Sequence, residues 1–154
     1  MSKGNSHLQV VAICSLLLYI KFVASTIIGA RKKFASGNRA PEETRNGDGY
    51  KQDFGLHSDD EEDQNARLED MRWQRIVEND MENIPLGLIF AWAAALTNGN
   101  HTQTIVATVV FTLCRFTHTI SYANAWSKPR IAAFLLGVIC IVVLGENAIS
   151  ATLN

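Results

Sequence analysis

Four long apolar runs dominate the chain: His7–Ala30, Arg75–Thr97, Gln103–Ala125 and Arg130–Leu153. A bilayer core about 30 Å thick is crossed by roughly 20 residues of helix, which satisfies its own backbone where no water can. Four such runs in 154 residues predict an all-α integral membrane four-helix bundle, a single membrane domain over residues 1–154. The helices are expected at about 7–30, 75–97, 103–125 and 130–153. Lys3 and the later "VAS" imitate a signal peptide around the first run. Lys21 lies inside that run, where a signal peptide is uncharged, so the run is read as a retained helix.

Charge is crowded between the first two runs. Residues 31–73 are rich in Gly, Asn and charged side chains, and end in the acidic block "SDDEEDQNARLED", Ser58–Asp70. That composition predicts a long, acidic, largely disordered loop with one fixed signal, a turn at "NGDG". The net charge of -1 gives no footprint for a nucleic-acid partner. Cys14, Cys114 and Cys140 all sit in apolar runs without CxxC or metal-ligand spacing. They read as small buried hydrophobes, with neither a disulfide framework nor a metal site.

Basic residues near helix ends set the expected orientation. Arg31, Lys32, Lys33 and Arg39 follow the first run, and Lys128 and Arg130 lie in the last link. The opposite side offers only Lys3, so the large loop and the Trp126–Pro129 link are expected in the cytosol, with both termini outside. The sequon "NHT" at Asn100 then falls on the lumenal side.

Placed by depth, the polar residues converge on one end. Arg75, Asn79 and Glu82 are spaced i, i+4, i+7, which puts them on one face of the second helix. Arg115, His118 and Tyr122 are spaced i, i+3, i+7 near the end of the third. Arg130 opens the fourth helix at the same end, and the first ends there at Arg31. Arginines able to fork onto carboxylates, with a glutamate able to accept from an ammonium, suit a small, polar, net-anionic ligand held between helices. Ordinary interfacial snorkelling and interhelical hydrogen bonding are the competing reading of the same residues. Lys21 is too deep to snorkel, about 15 Å below Arg31 at 1.5 Å per residue, and is expected to pair with Asp80 or Glu82.

"RIVENDMENIP", Arg75–Pro85, together with "RFTHTISY", Arg115–Tyr122, resembles the MAPEG superfamily, membrane-associated proteins of eicosanoid and glutathione metabolism. "IK" at Ile20–Lys21 and "RKKFA" at Arg31–Ala35 fit its branch of microsomal glutathione transferase 1 and microsomal prostaglandin E synthase 1. The resemblance covers all four helices and leaves out the acidic loop. It implies a homotrimer of four-helix protomers in the endoplasmic reticulum membrane, with glutathione as co-substrate. On the matching positions, Arg75, Asn79, Glu82, Arg115, His118, Tyr122 and Arg31 are expected to bind glutathione. Arg130 matches the arginine that stabilises the glutathione thiolate. The expected reaction is attack of that thiolate on a lipophilic electrophile, or reduction of a lipid hydroperoxide.

The chain departs from that branch at several positions. Glu78 stands where the branch has an arginine, Val77 where it has a histidine, and Ile131 where the prostaglandin synthase has a serine. The last change points to conjugation or peroxide reduction rather than isomerisation. A non-catalytic lipid-binding scaffold, a kind of protein the family also contains, is the alternative; such a scaffold lacks the arginine that Arg130 supplies.

Overall fold

The structure is a computed structural model that describes residues 6–38 and 61–153, the side chains of residues 62 and 63 excepted. Four helices follow one another: α1 (Ser6–Ala35), α2 (Glu61–Leu96), α3 (His101–Ala123) and α4 (Ser127–Leu153). No strand occurs among the described residues. Asn100 caps α3, its side-chain oxygen accepting from the Gln103 N–H at 3.1 Å, which satisfies one of the free donors of the first turn. Pro129 sits in the first turn of α4, where its missing N–H leaves no helical bond unmade. α1 stops at Gly37, whose φ of 72° lets the Asn38 N–H turn back onto the Lys33 carbonyl at 3.2 Å.

One expectation is corrected here. The loop expected over residues 31–73 is helical at both ends, since α1 runs to Ala35 and α2 begins at Glu61. The reason lies in the block itself: Glu, Gln, Ala, Arg, Leu and Met are good helix formers, and charge density alone does not unfold them. Residues 39–60, with the "NGDG" turn and the start of the acidic block, lie outside the described residues. The four expected helices are all present, and α1, α3 and α4 are long and apolar enough to cross a membrane among the described residues. In α2 charged residues continue as far as Glu82, leaving Asn83–Leu96 as its uncharged stretch.

The chain groups into two units. One comprises α1 as far as Phe22 together with the chain from Asn79 onward; the other is residues 23–78. In the second unit, Lys32 pairs with Glu69, and Asp70 accepts from Ser36 Oγ at 2.9 Å and Asn38 Nδ2 at 3.3 Å. These bonds give the acidic start of α2 partners that a disordered loop would lack.

The first unit holds two apolar clusters. Val11, Ala91, Ala94, Ala95, Ala107, Leu144 and Ala148 form one, and Leu18, Ile84, Phe111 and Cys140 the other. Small residues dominate the first, as expected where lipid supplies no hydrophobic driving force and close backbone approach must do so instead. In the second, the Phe111 ring lies directly on Gly87, where an added Cβ would fall 2.3 Å from Phe111 Cζ. Large apolar side chains such as Ile13, Leu16, Ile20, Leu113, Leu135 and Ile139 point outward, the arrangement a lipid-facing surface requires. All three cysteines are free and buried, as their apolar settings implied.

Candidate functional site

The polar core of the first unit is built on Asp80. Its side chain is fully buried and receives Lys21 of α1 on Oδ2, fulfilling the expectation that Lys21 pairs inside the bundle. Arg115 of α3 donates from Nη2 to Asp80 Oδ1 at 2.6 Å and to Asn79 Oδ1 at 2.8 Å. Three helices are thereby joined at one carboxylate. Lys21 and Arg115 are as buried as their partner, with side chains 4% and 2% exposed. Burying a lone charge costs several kcal/mol or more, so this cluster depends on pairing.

The pairing is incomplete. Two cations face one carboxylate, and Arg115 Nε is buried without a hydrogen-bond partner. His118, one turn further along α3, is also buried and leaves Nδ1 without a partner among the described residues. Polar atoms left this way are uncommon in folded proteins, and here they share one end of α3. The His118 ring meets Tyr122 edge-on at 5.6 Å between centroids, and Phe134 of α4 at 6.4 Å. Arg130 of α4 lies over the Tyr122 ring, 4.4 Å from its centroid. A cation held on a ring face keeps its donor edges directed elsewhere.

Of the residues singled out in the sequence, Asn79 contacts Arg115, and His118 and Arg130 both contact Tyr122, with Arg115 and His118 one turn apart on α3. Glu82 is in the same unit and exposed, one helical turn beyond Asn79 on α2. Arg115 is turned inward onto Asp80 and Asn79, where the sequence presented it as a ligand contact alone. Arg31 and Arg75 belong to the second unit, and both are exposed. Glu78, the position of reversed charge, is exposed there too and accepts from Gln74 Nε2 at 2.9 Å.

Asp80 is the residue whose centrality the sequence did not disclose. It was expected to serve Lys21, and its hold on Arg115 joins α2 to α3 as well. The available signal was a carboxylate next to Asn79 in a helix about to become apolar.

Beside the charged cluster lies an apolar cleft of about 230 Å³, lined by Leu18, Tyr19 and Phe22 of α1 and by Asp80, Met81, Ile84, Pro85 and Leu88 of α2. Pro85 contributes to its shape, because it withdraws the N–H that the Met81 carbonyl would otherwise accept. The unit therefore places a polar, cationic centre against an apolar opening. No group of three or more His, Cys, Asp or Glu side chains fit to hold a metal occurs among the described residues.

A search of curated proteins finds no match to this chain. A family model described as "MAPEG family" matches residues 10–149, nearly the whole chain and all of α3.

Proposed function

The chain belongs to the MAPEG family, and on that premise we propose that it is a glutathione-dependent membrane transferase or lipid-hydroperoxide peroxidase. The observation that carries this reading is Arg130, held over Tyr122 at the end of α3 that also bears the incompletely paired Arg115 and His118. A free thiol has a pKa near 8.5, so a fixed guanidinium beside it raises the thiolate fraction at neutral pH. Arg130 lies outside the buried ion pairs of Asp80 and is held at the ring of Tyr122, and it is assigned that role.

The donor set suits glutathione. It has two carboxylates for arginine and amide donors, and an ammonium for the exposed carboxylate of Glu82. Asn79, Glu82, Arg115, His118 and Tyr122 are assigned to holding it; Arg31 and Arg75 enter the proposal through the family resemblance alone. When bound, glutathione supplies the sulfur nucleophile, so no protein nucleophile is needed. The apolar cleft beside Asp80 supports a lipophilic second substrate, delivered from the bilayer. We place the protein as a homotrimer in the endoplasmic reticulum membrane, with the α1–α2 connection in the cytosol.

Purified protein is expected to turn over a generic lipophilic electrophile only when glutathione is present. Arg130→Ala should lower that rate by about 10²-fold or more, the usual cost of removing one charge-stabilising group. Equal rates in both proteins would remove the role given to Arg130. Lack of glutathione binding by calorimetry would favour the non-catalytic lipid-binding scaffold.

A further inference from the structure

Arg115 can only donate hydrogen bonds, since a guanidinium carries N–H groups and no acceptor. The Asn79 atom facing it at 2.8 Å is therefore the amide oxygen, and the amide NH2 must point the other way. That Nδ2 has no partner among the described residues, and Asn79 is partly exposed while Arg115 is buried. Arg115 is in turn fixed by Asp80 at 2.6 Å, on a carboxylate whose other oxygen is taken by Lys21. Without that anchor the guanidinium loses its place, and the amide can rotate by half a turn and offer its oxygen instead.

We propose that Asp80 is a positioning residue: by holding Arg115 it locks the Asn79 amide with Oδ1 inward and Nδ2–H outward. The site then meets its ligand at Asn79 with a donor, which selects a ligand oxygen, carboxylate or carbonyl, at that point. Exposed Glu82, one turn further along α2, offers only acceptors while ionised. The α2 face thus pairs a donor with an acceptor, the complement of an amino-acid group carrying both charges. The assignment rests on the glutathione reading for its ligand, and on the Asp80–Arg115–Asn79 chain for its geometry.

Two variants separate positioning from simple support of the fold. Asn79→Asp keeps an oxygen on Arg115 and adds a negative charge where two cations face one carboxylate, so the fold is retained. It replaces the outward donor by an acceptor, and glutathione affinity measured by calorimetry should fall about tenfold or more. Lys21→Met with Asp80→Asn removes one charge of each sign and leaves the net charge of the cluster unchanged, while replacing the ionic hold on Arg115 by a neutral amide at most. This pair should weaken glutathione by about tenfold, and by less than about twofold when Asn79 is already alanine.

A merely structural role would give equal losses in the two backgrounds, and that additivity would overturn the assignment. Unchanged affinity in Asn79→Asp would overturn it as well, whether or not the paired variant folds. In either case, binding by the unaltered protein leaves the glutathione reading standing. No binding by the unaltered protein would overturn both.

Discussion

Two buried polar clusters occur in the same unit, one around Asn147 and one around Asp80. Asn147 of α4 accepts the Asn100 N–H at 2.8 Å and donates to the Asn100 carbonyl at 3.2 Å and to Thr104 Oγ1 at 2.9 Å. It is neutral, and its amide oxygen and both amide hydrogens are used. The Asp80 cluster is charged, sets two cations against one carboxylate, and leaves Arg115 Nε and nearby His118 Nδ1 unpartnered. A saturated neutral network ties α4 to the α2–α3 turn and has nothing left to offer a ligand. An unsaturated charged one has both the binding capacity and the instability that a ligand can relieve.

The largest effect that separates them is expected at Asp80. Asp80→Ala strands Lys21 and Arg115 as buried cations and should cost about 3–5 kcal/mol, read as a large fall in thermal stability of the protein in bilayers. A loss no greater than that of a surface change would show that water already reaches the cluster. Next comes Gly87→Ala, which drives a methyl group into the buried Phe111 ring. Overpacking of this kind costs about 1–3 kcal/mol. Phe111 lies between Thr104 and Arg115 along α3, so this variant shows what apolar damage alone does to glutathione affinity.

Asn147→Leu should cost about 1–3 kcal/mol, because the Asn100 backbone and Thr104 lose their partner. Its glutathione affinity should remain that of the unaltered protein. A tenfold loss there would erase the division of labour between the two clusters. The smallest effect is expected at Ala125, which holds a φ of 58° in the α3–α4 link. Left-handed backbone costs an alanine about 1–2 kcal/mol and a glycine almost nothing, so Ala125→Gly should raise thermal stability slightly.

Much of this was legible beforehand, for identifiable reasons. Long apolar runs announce helices because the bilayer admits little else, and Lys21 announced a buried partner because nothing at its depth could solvate it. The start of α2 was not legible: its acidic block has the charge of a solvated tether, and its partners Lys32, Ser36 and Asn38 lie across an interval of more than twenty residues. The spacing of Arg115, His118 and Tyr122 placed them on one side of α3. It did not reveal that Arg115 turns onto Asp80 or that Arg130 stacks on Tyr122, because those contacts depend on how separate helices meet. Asn147 went unassigned for the same reason.

The ultraviolet absorbance of a thiolate tests the central claim most directly, since it reports the ionised sulfur without any second substrate. Adding glutathione to the purified protein at neutral pH should produce that band at saturating ligand, and Arg130→Ala should bind glutathione without producing it. An equal band in both proteins, or bound glutathione without a band in the unaltered protein, would contradict the account.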